Sequence, residues 1–204
     1  MNWLAHAFLS EDHIDFQIGN ILADPLKART WDDASIHMEN GMQTHIRIDK
    51  FTDSHDIVRL SKKRLREKGL LKPVIIDLTY DYLLTKNWDL FSTIPIDKFT
   101  ENFYKKASNS LEYLPKKASY IVTNLINKDL LNKYHTLDDL NTSFKRMDLR
   151  LSERLLKRES ALEYFDEVHL NIDELENDFL DFFPQLCEHT KKDLNQEKIN
   201  HWKI

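Results

Sequence analysis

Apolar side chains recur along this chain at intervals of three and four residues, and prolines and short polar stretches interrupt the rhythm. That period belongs to a series of amphipathic helices. The opening segment places Trp3, Leu4, His6, Ala7 and Phe8 on a short helix that Asn2 can cap. A second helix should start near Asp12 and end near Pro25, and a third should cover about 34–51 with Gly41 inside it. Thr52, Asp53 or Ser54 can cap the next helix, a basic one over 55–68 that stops at Gly69. Pro73 then opens a helix through Thr85 whose Val74, Ile75, Ile76, Leu78, Tyr80 and Leu83 go nearly all round, so it should be central. Its β-branched residues would also suit a buried strand. Continuation of the pattern to Leu84 and the proline in the first turn decide for helix. Further helices are expected over 96–114, 115–126, 137–147 and 152–183, the last broken near Leu170. The polar segment 184–199 should fray.

Composition agrees. Three glycines and five prolines in 204 residues are too few for the turns of an all-β fold or the phosphate loops of a doubly wound sheet, so the fold class is all-α. No repeat, low-complexity tract or linker divides the chain, which reads as one compact helical domain over 1–204. A formal charge of −5 argues against non-specific nucleic-acid binding. The single cysteine, Cys187, excludes an intramolecular disulfide and reads as a small buried apolar residue. No apolar run approaches the ~20 residues that span a bilayer, and the N-terminus lacks a secretory signal. A cytoplasmic protein is expected.

The chemistry concentrates in a few places. His45, Asp49 and Asp53 succeed one another at four-residue spacing, which on a helix puts an imidazole and two carboxylates on one face. Asp77 and Asp81 repeat the spacing inside the most apolar segment, where an unpaired carboxylate would be very costly. With His6, Asn20 and Asp24 these residues form a candidate set of nitrogen and oxygen donors without thiolate. Such a set suits Mn²⁺, Fe²⁺ or Mg²⁺ and metal-assisted hydrolysis. Arg47 could add a contact to phosphate. The plainer alternatives are surface ion pairs on the third helix and a helix cap at Asp53. His13, His37, His135, His169, His189 and His201 sit in polar contexts and read as solvated. Between Arg59 and Lys72 there are seven cationic side chains and one acidic one. Arg59, Lys62, Lys63 and Arg66 make a stripe there, either a solvated face or a dock for an acidic macromolecule.

Five ordered blocks resemble the acyl carrier protein phosphodiesterases, also called acyl carrier protein hydrolases. Met1-Asn-Trp-Leu-Ala-His6 is similar to that family's Asn-Phe-Leu-Ala-His start, and Gly19-Asn-Ile-Leu-Ala-Asp24 to its Gly-Asn-Leu-Leu-Ala-Asp signature. Gly41-Met-Gln-Thr-His45-Ile-Arg47-Ile-Asp49 resembles its Gly-x-x-x-His-Arg-Arg-Ile-Asp block, with Thr52-Asp53 close behind. Asp77-Leu-Thr-Tyr-Asp81-Tyr-Leu-Leu resembles its Asp-x-x-x-Asp-His-Phe-Leu segment, with Asn87-Trp88 after it. Beyond about residue 90 the likeness is looser, in Arg146-Met-Asp-Leu-Arg150-Leu-Ser and Phe182-Phe-Pro184.

The resemblance implies an all-helical enzyme, distantly similar to HD-domain phosphohydrolases and activated by a divalent metal, with Mn²⁺ foremost. The implied reaction is hydrolysis of the phosphodiester that joins 4′-phosphopantetheine to a serine of holo-acyl carrier protein. An acidic carrier protein as partner would give the Arg59–Arg66 stripe its purpose. Carried over by residue, His45, Asp49, Asp77 and Asp81 are the expected metal set. Asp24 is expected to orient or deprotonate water, His6 to act as ligand or proton donor, and Arg47 to meet phosphate. Two positions depart from the pattern: Ile46 replaces an arginine, and Tyr82 a histidine that could be a ligand. The alternatives are a related metal phosphohydrolase acting on a nucleotide or another phosphodiester, and a non-catalytic helical module that binds carrier protein.

Overall fold

Helical periodicity becomes twelve α-helices and three short 3₁₀ turns in the computed structural model, which describes residues 1–203. Ile204, the last residue of the expected domain, lies outside the described residues. In chain order the helices are α1 (Trp3–Phe8), α2 (Ile14–Leu26), α3 (Ile36–Ser54), α4 (Asp56–Arg64), α5 (Lys72–Lys86) and α6 (Trp88–Phe91). They continue as α7 (Ile96–Ser110), α8 (Lys116–Asn127), α9 (Leu137–Asp148), α10 (Glu153–Leu156), α11 (Phe165–Leu170) and α12 (Ile172–Lys191). No strand occurs among the described residues. None of their helices is long and apolar enough to cross a membrane.

As its all-round apolar sequence predicts, α5 is central, with Ile75, Ile76, Tyr80, Leu83 and Leu84 inaccessible. Around it the helices share one continuous apolar core that runs from Leu4 in α1 to Leu186 in α12. A buried network ties α4 and α12 to α5: Ser61 Oγ meets the Tyr80 hydroxyl at 2.8 Å and donates to Asp178 Oδ2 at 2.7 Å. Arg64 closes it with two hydrogen bonds to the same carboxylate, at 2.7 and 2.9 Å. Cys187 is buried, as expected, and burial pushes its thiol pKa up.

Several local expectations need correction. The cap of α4 is His55, whose Nδ1 accepts from the Ile57 N–H at 3.3 Å, and not Thr52, Asp53 or Ser54. The segment expected to fray is ordered instead. Pro184 lies inside α12, because Phe179, Phe182, Phe183 and Leu186 continue the buried stripe across it. That burial outweighs the lost backbone hydrogen bond, a cost of ~3 kcal/mol. Beyond α12 the chain returns to α1, where the Trp202 indole N–H donates to the Phe8 carbonyl at 2.9 Å. His201, expected to be solvated, is buried beside it with Nε2 at 2.9 Å from the same oxygen. Helix C-terminal carbonyls need such partners. His13 and His37 are also half-buried, with rings stacked at 3.8 Å.

The closest helix pairing is α2 against α3, and two glycines permit it. A Cβ on Gly19 would stand 2.2 Å from the Met38 carbonyl oxygen, and one on Gly41 would stand 2.1 Å from that of Phe16. Both helices therefore touch backbone to backbone, and the face of α3 that carries His45 meets the face of α2 that carries Asn20.

Candidate metal centre

Three donors converge where α1, α2 and α3 meet. One ring nitrogen each of His6 and His45 and one Asp49 carboxylate oxygen all lie within 4.8 Å of one another. His6 Nε2 is 3.3 Å from Asp49 Oδ1, and His45 Nε2 is 3.0 Å from Asp49 Oδ2. The two imidazoles stack with centroids 4.0 Å apart. His45 and Asp49 share a helical face because they are one turn apart on α3. His6 arrives from α1, and only the tertiary packing brings it there.

Ring orientation is fixed from behind. His6 Nδ1 lies 2.8 Å from the Asn20 side-chain oxygen, and His45 Nδ1 lies 2.7 Å from the Asn20 backbone carbonyl. Both partners are acceptors, so each Nδ1 carries a proton and each Nε2 is the ring atom turned toward Asp49. Asn20 is held in turn by donating to Ser10 Oγ at 2.9 Å, and Ser10 donates to the His6 carbonyl at 2.8 Å. His6 Nε2, His45 Nε2 and Asp49 Oδ1 are buried atoms without a well-directed hydrogen bond among the described residues. A shared cation answers that arrangement, and carbonyl-backed imidazoles are how metal-ligating histidines are normally oriented. The donor set therefore fits a divalent ion. Replacing Asn20 with Ala frees both the His6 ring and the Ser10 loop, and we expect about 10- to 100-fold weaker Mn²⁺ binding by calorimetry. Unchanged affinity would show that the rings need no such support.

The electrostatics are divided between the stacked rings. Burial, with the charge of His45 beside it, pushes His6 down to about 4. Burial also works against charge on His45, but Asp24 and Asp49 outweigh it and hold that ring up at about 9. Asp49 is lowered: its burial is overcome by His45 and His6. Asp24, whose side chain is 80% exposed, stands 3.2 Å from His45 Nε2 and is lowered chiefly by that contact.

An open cleft of about 350 Å³ leads to the cluster, lined in part by Asp24, Lys27, His45, Ile46, Asp49 and Lys50. Lys27 and Lys50 were not anticipated. The available signal was position, since Lys27 lies one turn beyond Asp24 and Lys50 adjoins Asp49. Ile46, which stands where an arginine was expected, lies at the mouth. Asp53 is also on the rim, where it pairs with Lys62 at 3.2 Å.

Other expected site residues have different partners. Asp81 is fully buried and accepts from the backbone N–H groups of Asn2, Leu4 and Ala5 at 3.2, 3.0 and 3.4 Å. It caps α1 from α5, a favourable place for a carboxylate, while the Asn2 side chain reaches the Tyr134 hydroxyl instead. Burial raises Asp81 to about 7 against those N–H groups. Asp77 Oδ1 lies 2.9 Å from the Met1 ammonium, which is also 3.8 Å from Asp49. Neither Asp77 nor Asp81 joins the donor cluster. Arg47 points away from the cleft, donating to Thr44 Oγ1 at 2.7 Å and pairing with Asp193 at 3.2 Å. Tyr82 is buried, its environment set by Lys86 and Glu176.

The basic stripe is largely neutralised from within. Arg59 pairs with Asp56 and Lys62 with Asp53. Arg66 pairs with Glu167 at 2.8 Å and Glu163 at 3.3 Å, and its guanidinium lies over the Tyr164 ring. Lys63 alone of the four is exposed without an ion pair among the described residues. An acidic partner would have to displace or tolerate these carboxylates, so the stripe is a weaker dock than its sequence implies.

The family model described as acyl carrier protein phosphodiesterase matches residues 1–186. A relative from Photorhabdus laumondii is 26% identical over 191 residues, covering 92% of this chain and 94% of its own. One from Klebsiella pneumoniae is 24% identical over 188 residues, covering 91% and 95%, and one from Escherichia coli is 24% identical over 194 residues, covering 94% and 98%. All three are named acyl carrier protein phosphodiesterase. No solved structure matches the chain, so none bears on the expected likeness to HD-domain phosphohydrolases.

Proposed function

Because the chain belongs to the acyl carrier protein phosphodiesterase family, whose members are hydrolases, we propose that it cleaves the phosphodiester between 4′-phosphopantetheine and a serine of holo-acyl carrier protein. One helical domain spanning 1–204 would carry the activity. The observation that supports this most is the convergence of His6 Nε2, His45 Nε2 and Asp49 in an open cleft beside Asp24. His6, His45 and Asp49 would hold a divalent cation, Mn²⁺, Mg²⁺ or Fe²⁺ by donor type, which when bound polarises phosphoryl oxygens and lowers the pKa of water.

The chain's own groups divide the remaining work. Asp24 is exposed on the cleft, 3.2 Å from His45 Nε2, and its carboxylate can orient water toward phosphorus and accept its proton. Water adds across the phosphorus–oxygen bond to serine, which leaves a serine hydroxyl on the carrier and free 4′-phosphopantetheine. Lys27 and Lys50 offset charge on the non-bridging oxygens, the task first expected of Arg47. His6 is neutral at physiological pH and carries its proton on the Nδ1 facing Asn20, so it serves as a ligand and not as the proton donor. Incubation with holo-carrier protein and Mn²⁺, then mass spectrometry, tests the reading. Loss of the prosthetic group that a chelator abolishes is expected; an intact carrier under all divalent ions would refute it.

Cation affinity should depend on pH with a defined sign. A bound ion needs His45 Nε2 bare, whereas the ion-free protein keeps that ring protonated up to about pH 9. Binding therefore displaces a proton, and apparent affinity should rise about tenfold per pH unit from near 6.5 to 9. His6, already neutral above about pH 4, adds nothing in this window. Without metal the stability trend is opposite: the His45 contribution is complete below pH 6.5 and fades as pH rises through about 9. Calorimetry and thermal melts across pH measure both slopes, and a flat affinity profile would remove His45 from the ligand set.

A further inference from the structure

We infer that the carrier protein docks, through an acidic segment, on the face formed by the start of α1, α8 and the end of α9, and not on the α4 stripe. This inference rests on the carrier-protein reading. A cleft of about 100 Å³ between α1, α5 and α9 is lined in part by Asn2, Trp3, Leu78, Tyr134, Arg146 and Arg150. A second cleft of about 350 Å³ adjoins it across Trp3, Leu130 and Arg150, and extends to Tyr120, Ile121 and Lys128 on and just beyond α8.

Three features of this face point to one kind of occupant. Its cations are unspent. Arg146 donates only to Ser143 Oγ, at 2.5 Å, and Arg150 lies 5.9 Å from the centroid of the Trp3 ring. Neither arginine, nor Lys128, pairs with a carboxylate among the described residues, although the protein is net acidic. Every arginine of the α4 stripe, by contrast, already has a carboxylate. The face also exposes an aromatic anchor: Tyr120 is 71% accessible. An aromatic anchor rimmed by free guanidinium and ammonium groups complements an acidic amphipathic segment of a protein.

The third feature is continuity with the cluster. Trp3 precedes His6 by one turn of α1, and Asn2 adjoins Met1, whose nitrogen is 3.8 Å from Asp49. Leu78 is next to Asp77, the other partner of that nitrogen. A segment seated here would hold its modified serine beside the donor cluster. The α4 stripe touches that region through Lys62, which pairs with Asp53 on the cleft rim.

The test is a double charge reversal, Arg150→Glu with Lys128→Glu, both exposed positions, in the full chain. Binding of apo-acyl carrier protein is read by fluorescence anisotropy at low and high salt, and cleavage of holo-carrier protein is read in parallel. We expect binding to weaken about tenfold at low salt, the gap to close at high salt, and KM to rise with kcat retained. Arg59→Glu with Lys63→Glu on α4 should change binding less than twofold. Far-UV circular dichroism checks the fold, and Tyr120→Ala, which changes no charge, should weaken binding at both salt concentrations. Wild-type affinity in the α8–α9 variants, no carrier binding by the wild type, or loss confined to RNA or anionic vesicles would each overturn the inference. Wild-type binding without cleavage would instead sink the phosphodiesterase reading while the binding series still decided the face.

Discussion

Asp49→Asn should lower Mn²⁺ affinity by more than about 100-fold and carrier-protein cleavage by about 10³-fold, a loss near 4 kcal/mol of barrier lowering. The substitution keeps the shape of the side chain and removes its negative charge. Asp49 is the residue on which the cluster depends most, because its two oxygens face both imidazoles at 3.3 and 3.0 Å. Without that charge two buried or nearly buried rings would share a cation with no anionic ligand among them. The carboxylate also helps to hold His45 up at about 9, so the amide should lower the His45 pKa. Imidazole NMR titration separates that effect from unfolding. The side chain is 34% exposed and anchors no core, so the helical circular dichroism should persist. Full metal affinity in the Asn variant would remove Asp49 from the site.

Gly41→Ala should destabilise the protein by about 3 kcal/mol or more and abolish metal binding with it. In an ordinary helix the same change stabilises by up to ~1 kcal/mol, so even the sign of the result is informative. Here the new Cβ would lie 2.1 Å from the Phe16 carbonyl oxygen, and a backbone group cannot rotate away. The helices must part by about 1 Å to restore contact distance. That displacement pulls His45 Nδ1 from the Asn20 carbonyl, now at 2.7 Å, and releases the ring. Gln43→Ala, on the exposed side of α3, should stay within about 0.5 kcal/mol. Urea unfolding of the two variants with parallel Mn²⁺ titration measures both effects. A neutral or stabilising Gly41→Ala would mean the crossing is looser than it looks.

The sequence alone determined what depends on neighbours along the chain. Helical class came from periodicity and glycine scarcity, and the central place of α5 from its all-round apolarity. The pairing of His45 with Asp49 came from one turn of α3, and family membership from five ordered blocks. Local spacing misled where a partner came from elsewhere. Asp77 and Asp81 repeat the His45–Asp49 interval, yet Asp81 caps α1 across 77 residues of chain and Asp77 faces the Met1 ammonium. The α4 stripe looked free because Glu163, Glu167 and Asp178, which engage Arg66 and Arg64, lie about a hundred residues away. Arg47 turned to Asp193 for the same reason.

Tertiary structure decided which donors meet. His6 reaches His45 only because α1 is capped by α5, and because α2 and α3 cross backbone to backbone at Gly19 and Gly41. A helix fixes side chains one turn apart through its own hydrogen bonds, so that geometry can be read from spacing. Contacts between helices are set by the packing of the whole core, and no interval along the chain encodes them.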